Sequence, residues 1–293
     1  MRFHQSWYRR TVLHLRAGQH PKNHKLYGSQ LMEPDAAAGR NFLTPEIARV
    51  ANRRLDEASG LIDRERLLCN MLSSQPMCFN LFGPLTERLD LATRLVRVLP
   101  GMPKELEVTA VDLEFAPDKA AHLQDATAFD AFIEYLVPNG QRGLVGVECK
   151  LTEPFSRAHY AFEERYRCWM LPDWWWAPGA EEDFSNVLFN QLWRNHLLAF
   201  SMLRQPGSRY DDASCAVVYH DEDASCARAI DTYGEMLRPE FKHTLLRWRL
   251  EELVSEWEQQ LKSTEDQEWL AAFRLRYLSL SESDGAWQAF CLA

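Results

Sequence analysis

The spacing of apolar residues along the chain changes from a helical period to an extended one near residue 104. Before that point, the pattern predicts three helices, over residues 44–59, 63–73 and 84–99. Thr44 and Pro45 are typical of the start of a helix, and Gly60 is typical of its end. Residues 1–40 are polar and basic, and we expect them to form an irregular arm with one short helix over residues 5–16.

Alternating apolar positions then predict three consecutive strands, over residues 105–115, 128–137 and 143–151. Pro138, Asn139 and Gly140 predict a hairpin connection between the second and third strands. Further along, the pattern predicts a helix, a strand and three more helices, over residues 186–204, 214–220, 225–236, 242–262 and 264–277. The order of helix, three-strand meander, helix and strand indicates an α/β fold, in which helices flank a mixed sheet of four or five strands.

This order of elements also predicts how the chain is organised. Residues 85–222 are expected to form the core. Residues 1–84 are expected to form a helical extension that packs on the core, and residues 223–293 a C-terminal helical segment of the same domain. The sequence has no internal repeat and no low-complexity tract, so neither a repeat architecture nor a disordered linker is predicted.

Three charged residues interrupt the apolar strands of the predicted hairpin. Glu148 and Lys150 are two positions apart, so both side chains point to one face of their strand, and Asp130 interrupts the strand before it. Charged groups are costly to bury on an apolar strand unless they are paired or functional. The three residues therefore form the candidate functional site, and a structural salt-bridge cluster is the alternative.

The register of the hairpin decides whether these three side chains meet. Residues that face each other across a hairpin share one side of the sheet, and their numbers have a constant sum. A sum of 280 would set Asp130 opposite Lys150, and a sum of 278 would set it opposite Glu148. A two-residue Asn-Gly turn would give 279 and would put Asp130 on the other side. A shared site therefore requires an odd-numbered loop or a bulge, which Pro138 favours because it cannot donate to the ladder.

Two carboxylates on one face of a sheet are natural ligands for a hard divalent ion. Mg²⁺ takes one or two carboxylates and fills its remaining positions with water and phosphate oxygens. Asp130 and Glu148 are the predicted metal ligands, and the backbone carbonyl of Cys149 is a third candidate donor. A bound ion would lower the pKa of a water molecule, and Lys150 would orient that water or neutralise developing charge.

Composition and charge restrict the class of protein further. The chain has 293 residues, of which 46% are hydrophobic, so it can bury a sizeable core without disulfides or a structural metal. The net charge of −9 counts against a protein that coats nucleic acid. It is compatible with a nuclease, because a local basic strip and bound Mg²⁺ can supply positive charge at the site.

Cysteine count and hydropathy indicate the compartment. The seven cysteines are odd in number and include no C-x-x-C pair, which predicts reduced thiols and neither a disulfide framework nor a zinc knuckle. The N-terminal residues lack the apolar segment of a secretory signal, and no stretch reaches the roughly 18 apolar residues of a membrane helix. We therefore expect a cytoplasmic protein with no membrane partner.

Asp130, followed on the next strand by Glu148-Cys149-Lys150, resembles the D…(D/E)-x-K signature of PD-(D/E)XK nucleases. Phe129 stands where that signature has its proline. The resemblance covers roughly residues 60–220, and it implies a restriction-endonuclease-like core. Three longer strings are similar to a bacterial family of restriction endonucleases: Asn70 to Asn80, Gly143 to Glu153 and Gln191 to His196.

This resemblance extends the set of candidate residues. Members of the superfamily often carry a glutamine on the helix after the third strand, and Gln191 matches it. The implied catalytic residues are therefore Asp130, Glu148, Lys150 and Gln191. Many members also have an acidic residue on the first helix, for which Glu87 matches best by position. Glu114, on the first strand, is a second candidate for an extra metal ligand.

The resemblance implies an endonuclease that hydrolyses DNA in an Mg²⁺-dependent reaction, with Mn²⁺ as an alternative ion, in restriction or other DNA processing. A homodimer would fit symmetric cutting of a duplex. An RNA-directed or structure-specific nuclease is one alternative, and a non-catalytic nucleic-acid-binding or assembly module on the same fold is another. The candidate substrate contacts are Ser74, Gln75 and Arg194, and the rest of the nearest basic set is Arg157, Arg165 and Arg167.

Overall fold

The computed structural model of the protein describes residues 1–57, 62–155 and 160–292. Gly60 and Arg157 lie outside the described residues. The chain separates into two compact units, of which the first contains Met1–Ala58, Ile62–Pro84 and Trp257–Ala293 and the second contains Leu85–Glu256. The predicted division into an N-terminal extension, a core and a C-terminal segment of one domain stays a prediction.

The N-terminal part of the first unit is mostly helical. Its elements are α1 (Arg2–Trp7), β1 (Gly18–Gln19), β2 (Leu26–Tyr27), α2 (Glu33–Ala37), α3 (Pro45–Asp56), α4 (Arg64–Leu68) and α5 (Ser74–Phe82). Thr44 caps α3 as its sequence predicted, since its hydroxyl accepts from the backbone N–H of Ile47 at 3.2 Å. Residues 1–40 are more ordered than expected, because a π-helical turn, Tyr8–Val12, and a short antiparallel pair of strands follow α1.

Helix α5 lies between two of the predicted helices, in a segment where the spacing of polar and apolar residues did not predict a helix. Ser73 caps the helix, with its hydroxyl accepting from the N–H of Gln75 at 3.2 Å. Asn80 is fully buried, where it accepts from the N–H of Leu43 at 2.8 Å and donates to the hydroxyl of Tyr277 at 3.0 Å. Every residue of α5 is buried, so the helix has no polar face and no amphipathic signature.

The second unit contains the predicted mixed sheet. From Leu85 onwards the chain forms α6 (Leu89–Val96), β3 (Glu107–Phe115), β4 (Phe129–Leu136), β5 (Arg142–Cys149), α7 (Glu164–Arg167), α8 (Asn190–Arg204), β6 (Asp212–Tyr219), α9 (Ala224–Gly234), β7 (Leu245–Arg249) and α10 (Leu250–Glu258). The strands are ordered β3-β4-β5-β6-β7. The first three pair antiparallel, whereas β6 and β7 pair parallel to β5 and β6. The α/β fold class, with a mixed sheet flanked by helices, is confirmed. Two helices of the first unit, α11 (Thr264–Tyr277) and α12 (Asp284–Cys291), complete the chain.

The prediction of one long helix over residues 242–262 is wrong in its first part. Leu245–Arg249 is instead strand β7, which pairs parallel with β6, and the helix begins only at Leu250. Leu246 and Trp248 are buried on β7, whereas Arg247 and Arg249 are exposed. The alternation covers only residues 246–249, which is too short to distinguish from part of the helical stripe, and pairing with β6 decides the conformation.

The hairpin of β4 and β5 has the register that a shared site requires. Leu136 pairs with Arg142 and Ala131 pairs with Val147, so the sum of opposed residue numbers is 278 throughout. The connection is a five-residue loop, residues 137–141, in which the N–H of Val137 donates to the carbonyl of Gln141 at 3.0 Å. The predicted odd-numbered loop is therefore confirmed. Helix α8 packs against β5 and β6, and it covers the face on which the site lies.

Aromatic residues fill the core on this side of the second unit. Trp174, Trp175 and Trp176 are buried, and all three pack against Phe200 of α8 with ring centroids 5.0–5.9 Å apart. All seven cysteines lie among the described residues, and none of them forms a disulfide. No helix in the described part of the chain has both the length and the apolar character needed to cross a membrane.

Candidate active site

Three carboxylates lie side by side across the sheet, and we call them the acidic row: Glu114, Asp130 and Glu148. Extension of the β4–β5 register by one residue sets Asp130 opposite Glu148. On the other side, Glu114 lies between the pairs Leu113–Ala131 and Phe115–Phe129, which sets it opposite Asp130. Glu114 also has a φ of 51°, a left-handed conformation that is uncommon for a non-glycine residue and is typically kept where the structure enforces it.

Asp130 is held against the backbone of the neighbouring strand. Its Oδ2 accepts from the N–H of Cys149 at 2.7 Å. Burial raises the pKa of Asp130 well above its ordinary value, and the charges of Glu148 and Glu114 raise it further. The Cys149 hydrogen bond and Lys150 act in the opposite direction but do not outweigh these effects. The acidic row is therefore electrostatically unfavourable by itself, and a cation would stabilise it.

Lys150 follows β5 directly and pairs with Glu148, which is two positions before it. The Nζ atom of Lys150 lies 2.7 Å from Oε1 of Glu148, and both side chains are buried. Burial lowers the pKa of Lys150, but the carboxylates of Glu148 and Asp130 outweigh this effect, so the pKa is raised overall. Lys150 is thus held as an ammonium ion beside the two carboxylates.

Gln191, on the first turn of α8, connects both members of this ion pair. Its Nε2 donates to Oε1 of Glu148 at 2.7 Å, and its Oε1 accepts from Nζ of Lys150 at 3.0 Å. A single amide therefore fixes the carboxylate and the ammonium relative to each other. The structure brings together Asp130, Glu148, Lys150 and Gln191, the four residues that the sequence predicted as catalytic.

Asn195 is a further member of the site that the sequence reasoning missed. It lies one helical turn after Gln191, and its Nδ2 donates to Oε2 of Glu148 at 2.6 Å. Gln191 and Asn195 together hold both oxygens of Glu148 from the same face of α8. The spacing of two amides four residues apart on a buried helix was the available signal, since an unpaired buried amide would be costly.

Arg194 is placed differently from the predicted substrate contact. Only 5% of it is exposed, and its guanidinium donates to the hydroxyl of Thr127 at 2.7 Å and lies 3.5 Å from Asp125. It also stacks over the ring of Tyr160, at 4.0 Å from the centroid. The sequence grouped Arg194 with the basic residues nearest the site, and the structure pairs it in the interior with the buried carboxylate of Asp125. Its role in substrate binding stays a prediction.

The other predicted contacts are carried by segments other than β5 and α8. Ser74 and Gln75 begin α5 in the first unit, and both are buried. Glu87 does not lie on a helix, because the chain bends there before α6 begins at Leu89, and its side chain is exposed. Glu114 is the additional carboxylate that the sheet brings next to Asp130. The roles of Ser74, Gln75 and Glu87 in binding stay predictions.

The site can be tested for its fit to a divalent metal ion. Among residues 1–57, 62–155 and 160–292, no three His, Cys, Asp or Glu side chains are grouped as a ready-made metal site. Mg²⁺, however, needs only one or two carboxylates, because water and phosphate supply its other ligands. Asp130 and Glu148, opposed across β4 and β5 with the Cys149 carbonyl nearby, meet that requirement. The excess of carboxylates over ammonium groups in this part of the sheet also fits a cation.

The family model of the PD-(D/E)XK nuclease superfamily matches residues 1–279. The chain therefore belongs to that superfamily, and the resemblance drawn from its sequence is confirmed. Members of the superfamily are nucleases that generally use divalent metals such as Mg²⁺, so membership implies nuclease activity and a nucleic acid substrate. Searches of curated proteins and of solved structures returned no match to the chain.

Proposed function

We propose that this protein hydrolyses phosphodiester bonds of DNA in an Mg²⁺-dependent reaction at the site formed by Asp130, Glu148, Lys150 and Gln191. The observation that carries the proposal is the arrangement of Glu148, Lys150 and Gln191, in which each side chain contacts the other two at 2.7–3.0 Å. A salt bridge that served only stability would not require the additional carboxylate of Asp130 in the same register, since extra buried negative charge destabilises the fold.

Asp130 and Glu148 would hold the metal ion, together with the backbone carbonyl of Cys149. When bound, the ion supplies a water of lowered pKa and neutralises charge on the scissile phosphate. Glu148 is held in position for this role by amides on both of its oxygens. Such supporting hydrogen bonds orient a ligand and typically account for a 10–100-fold effect on metal affinity or activity.

Lys150 would act on the attacking water. Two of its three N–H groups are directed to Glu148 and Gln191, which leaves the third to donate to a water or to a phosphate oxygen. The raised pKa keeps Nζ protonated at neutral pH, so its role is to orient the water and to stabilise developing negative charge. Gln191 fixes the direction of Nζ and need not contact the substrate.

The test is cleavage of plasmid and linear DNA by the purified protein with Mg²⁺, with Mn²⁺ and with EDTA. Cutting that requires metal, and that falls by about 10²-fold or more in both Glu148→Gln and Lys150→Met, would support the proposal. Glu107→Gln is the matched control, because Glu107 is an exposed carboxylate on β3 of the same sheet. Its cutting rate should equal that of the unmodified protein.

The same experiment identifies the rival functions. Cutting of RNA or branched DNA in place of linear duplex would retain the chemistry and change the substrate. An absence of cutting on every substrate, with no metal-induced rise in melting temperature, would favour the non-catalytic binding or assembly module. Binding of Mg²⁺ should raise the melting temperature of the unmodified protein and not that of Asp130→Asn.

A further inference from the structure

A recess of about 700 Å³ opens beside Lys150 in the second unit. Volumes between about 300 and 1,000 Å³ are typical of sites that enclose a small molecule or one group of a larger ligand. Because Lys150 forms part of its wall, whatever occupies this recess lies next to the atoms that would carry out hydrolysis. Its described lining includes Lys150, Glu153, Phe155, Val187, Leu188 and Asp223.

The charges in the recess are unsuitable for phosphate. Glu153 and Asp223 contribute two carboxylates to the lining, and Lys150 is the single cationic side chain among the described lining residues. The charge of Lys150 is already matched by Glu148 at 2.7 Å. A phosphate group inside the recess would therefore meet net negative charge, so the occupant must be an uncharged part of the substrate.

The shape and polarity of the lining fit a nucleobase. Phe155, Val187, Leu188 and Ala229 provide apolar surface, and Val187 and Leu188 are exposed despite their size. Flat bases gain free energy from contact with aromatic and apolar side chains. Thr152 and Ser225 contribute hydroxyl groups, and carboxylates such as Asp223 match the exocyclic amino groups of adenine, cytosine and guanine.

We propose that this recess accommodates an unpaired nucleobase adjacent to the scissile phosphate, so that the enzyme acts on single-stranded or extruded nucleotides in preference to paired duplex. A base inside a duplex cannot enter such a recess without leaving its stack. This inference rests on the proposed nuclease function, and it specifies the substrate class of the same site.

The test uses three DNA substrates of one sequence. One is a fully paired duplex, the second has a single unpaired adenine, and the third has an abasic residue at the unpaired position. With Mg²⁺ present, cutting next to the unpaired adenine should be about tenfold or more faster than cutting of either other substrate. The abasic substrate isolates the base, because it keeps the unpaired backbone position and lacks only the base.

Leu188→Ala removes apolar surface from the recess and should abolish most of that preference. Leu89→Ala is the matched control, because Leu89 on α6 is 36% exposed, against 37% for Leu188, and is not part of the lining. The control should retain the full preference. A preference that survives unchanged in Leu188→Ala would overturn the assignment of the recess.

Failure of this inference can be separated from failure of the proposed function. Equal cutting of all three substrates would overturn the base recess and leave metal-dependent hydrolysis established. If no substrate is cut, the proposed function fails, and the recess is then tested by binding. An oligonucleotide with 2-aminopurine at the unpaired position should change its emission on binding and bind more tightly than its abasic counterpart. Equal affinities would overturn the inference in that case also.

Discussion

The side-chain amide of Asn195 donates to Oε2 of Glu148 at 2.6 Å, on the carboxylate oxygen that Lys150 and Gln191 do not contact. Both residues are almost completely buried, at 2% and 3% exposure. Asn195 therefore limits rotation of the Glu148 carboxylate group. It leaves Oε1, the oxygen that contacts the ammonium of Lys150, unobstructed.

Replacement of Asn195 by alanine should weaken apparent Mg²⁺ affinity and reduce the cleavage rate by about 10–100-fold, because the carboxylate of Glu148 would lose one of its orienting bonds. Titration calorimetry with Mg²⁺ and single-turnover cleavage measure the two effects separately. Asn190→Ala is the control, since Asn190 on the same helix bonds to the backbone carbonyls of Tyr160 and Phe184. It should lower the melting temperature without changing Mg²⁺ affinity. An Asn195→Ala variant with normal affinity and rate would show that Asn195 has no role in positioning Glu148.

Arg194 should contribute to stability and not to DNA binding. Arg194→Ala would leave the buried carboxylate of Asp125 without its ion partner, which should lower the free energy of unfolding by about 3 kcal/mol in urea titrations. Arg204→Ala is the control on the same helix, because Arg204 pairs with Asp173 at the surface and should cost less than about 1 kcal/mol. The salt dependence of DNA binding decides between the two roles of Arg194. The relevant quantity is the slope of the logarithm of the DNA-binding constant against the logarithm of the salt concentration. If Arg194→Ala reduces the magnitude of this slope by about one, Arg194 contacts a phosphate.

His196 should make the protein less stable in acid. Burial lowers the pKa of His196 from 6.5 to about 3, and its two ring nitrogens bond to the hydroxyls of Tyr233 and Thr244 at 2.8 Å. The folded protein therefore favours neutral His196, so this contribution to stability is fully present above pH 6.5 and is lost as the pH falls towards 3. The loss over that window should be on the order of several kcal/mol.

Urea titrations of the unmodified protein and of His196→Gln between pH 8 and pH 5 measure this effect, because the variant lacks the titrating group. The difference in unfolding free energy between the two proteins should shrink as the pH falls. His24→Gln, which alters an exposed histidine of the first unit, should retain the pH dependence of the unmodified protein. Parallel curves for the unmodified protein and His196→Gln would contradict the prediction.

Gly146 should be intolerant of a side chain, because Phe129 occupies the space above it. A Cβ atom at Gly146 would lie 2.2 Å from the ring of Phe129, which is itself fully buried. Gly146→Ala should therefore lower the free energy of unfolding by about 1–3 kcal/mol. Phe129→Leu in the same chain should recover part of the loss. In Gly285→Ala, by contrast, the new Cβ would be within 4 Å of no atom from other parts of the described chain, and stability should be unchanged or slightly raised.

The hairpin and its site could be predicted from sequence because their signals are local. Asp130, Glu148 and Lys150 interrupt apolar strands, and charged residues in such positions have few structural explanations. The arithmetic of the register then restricted the connecting loop to an odd length, which the five residues between Leu136 and Arg142 have. Gln191 was placed through resemblance, and its four-residue spacing from Asn195 was the further signal within α8.

The remaining features depend on contacts between segments that are distant in sequence. Arg194 has the sequence character of a surface residue, and only the position of Asp125 makes it a buried one. Strand β7 has a pattern that a helix shares, and its conformation follows from pairing with β6. Asn195 has no partner within its own helix that would reveal its role. Its hydrogen bond to Glu148 joins residues 47 positions apart, which local periodicity does not report.

The pairing of Leu136 with Arg142 sets which side chains of the hairpin share a face. A slip of one residue between the two strands would leave both strands intact in composition, yet it would turn every side chain of one strand to the opposite face relative to the other. Asp130 and Glu148 would then lie on different sides of the sheet. A slip of two residues would keep them on one face but would separate them along the strands. The loop at residues 137–141 can therefore vary in length without moving the site, as long as it still closes on the pair Leu136–Arg142.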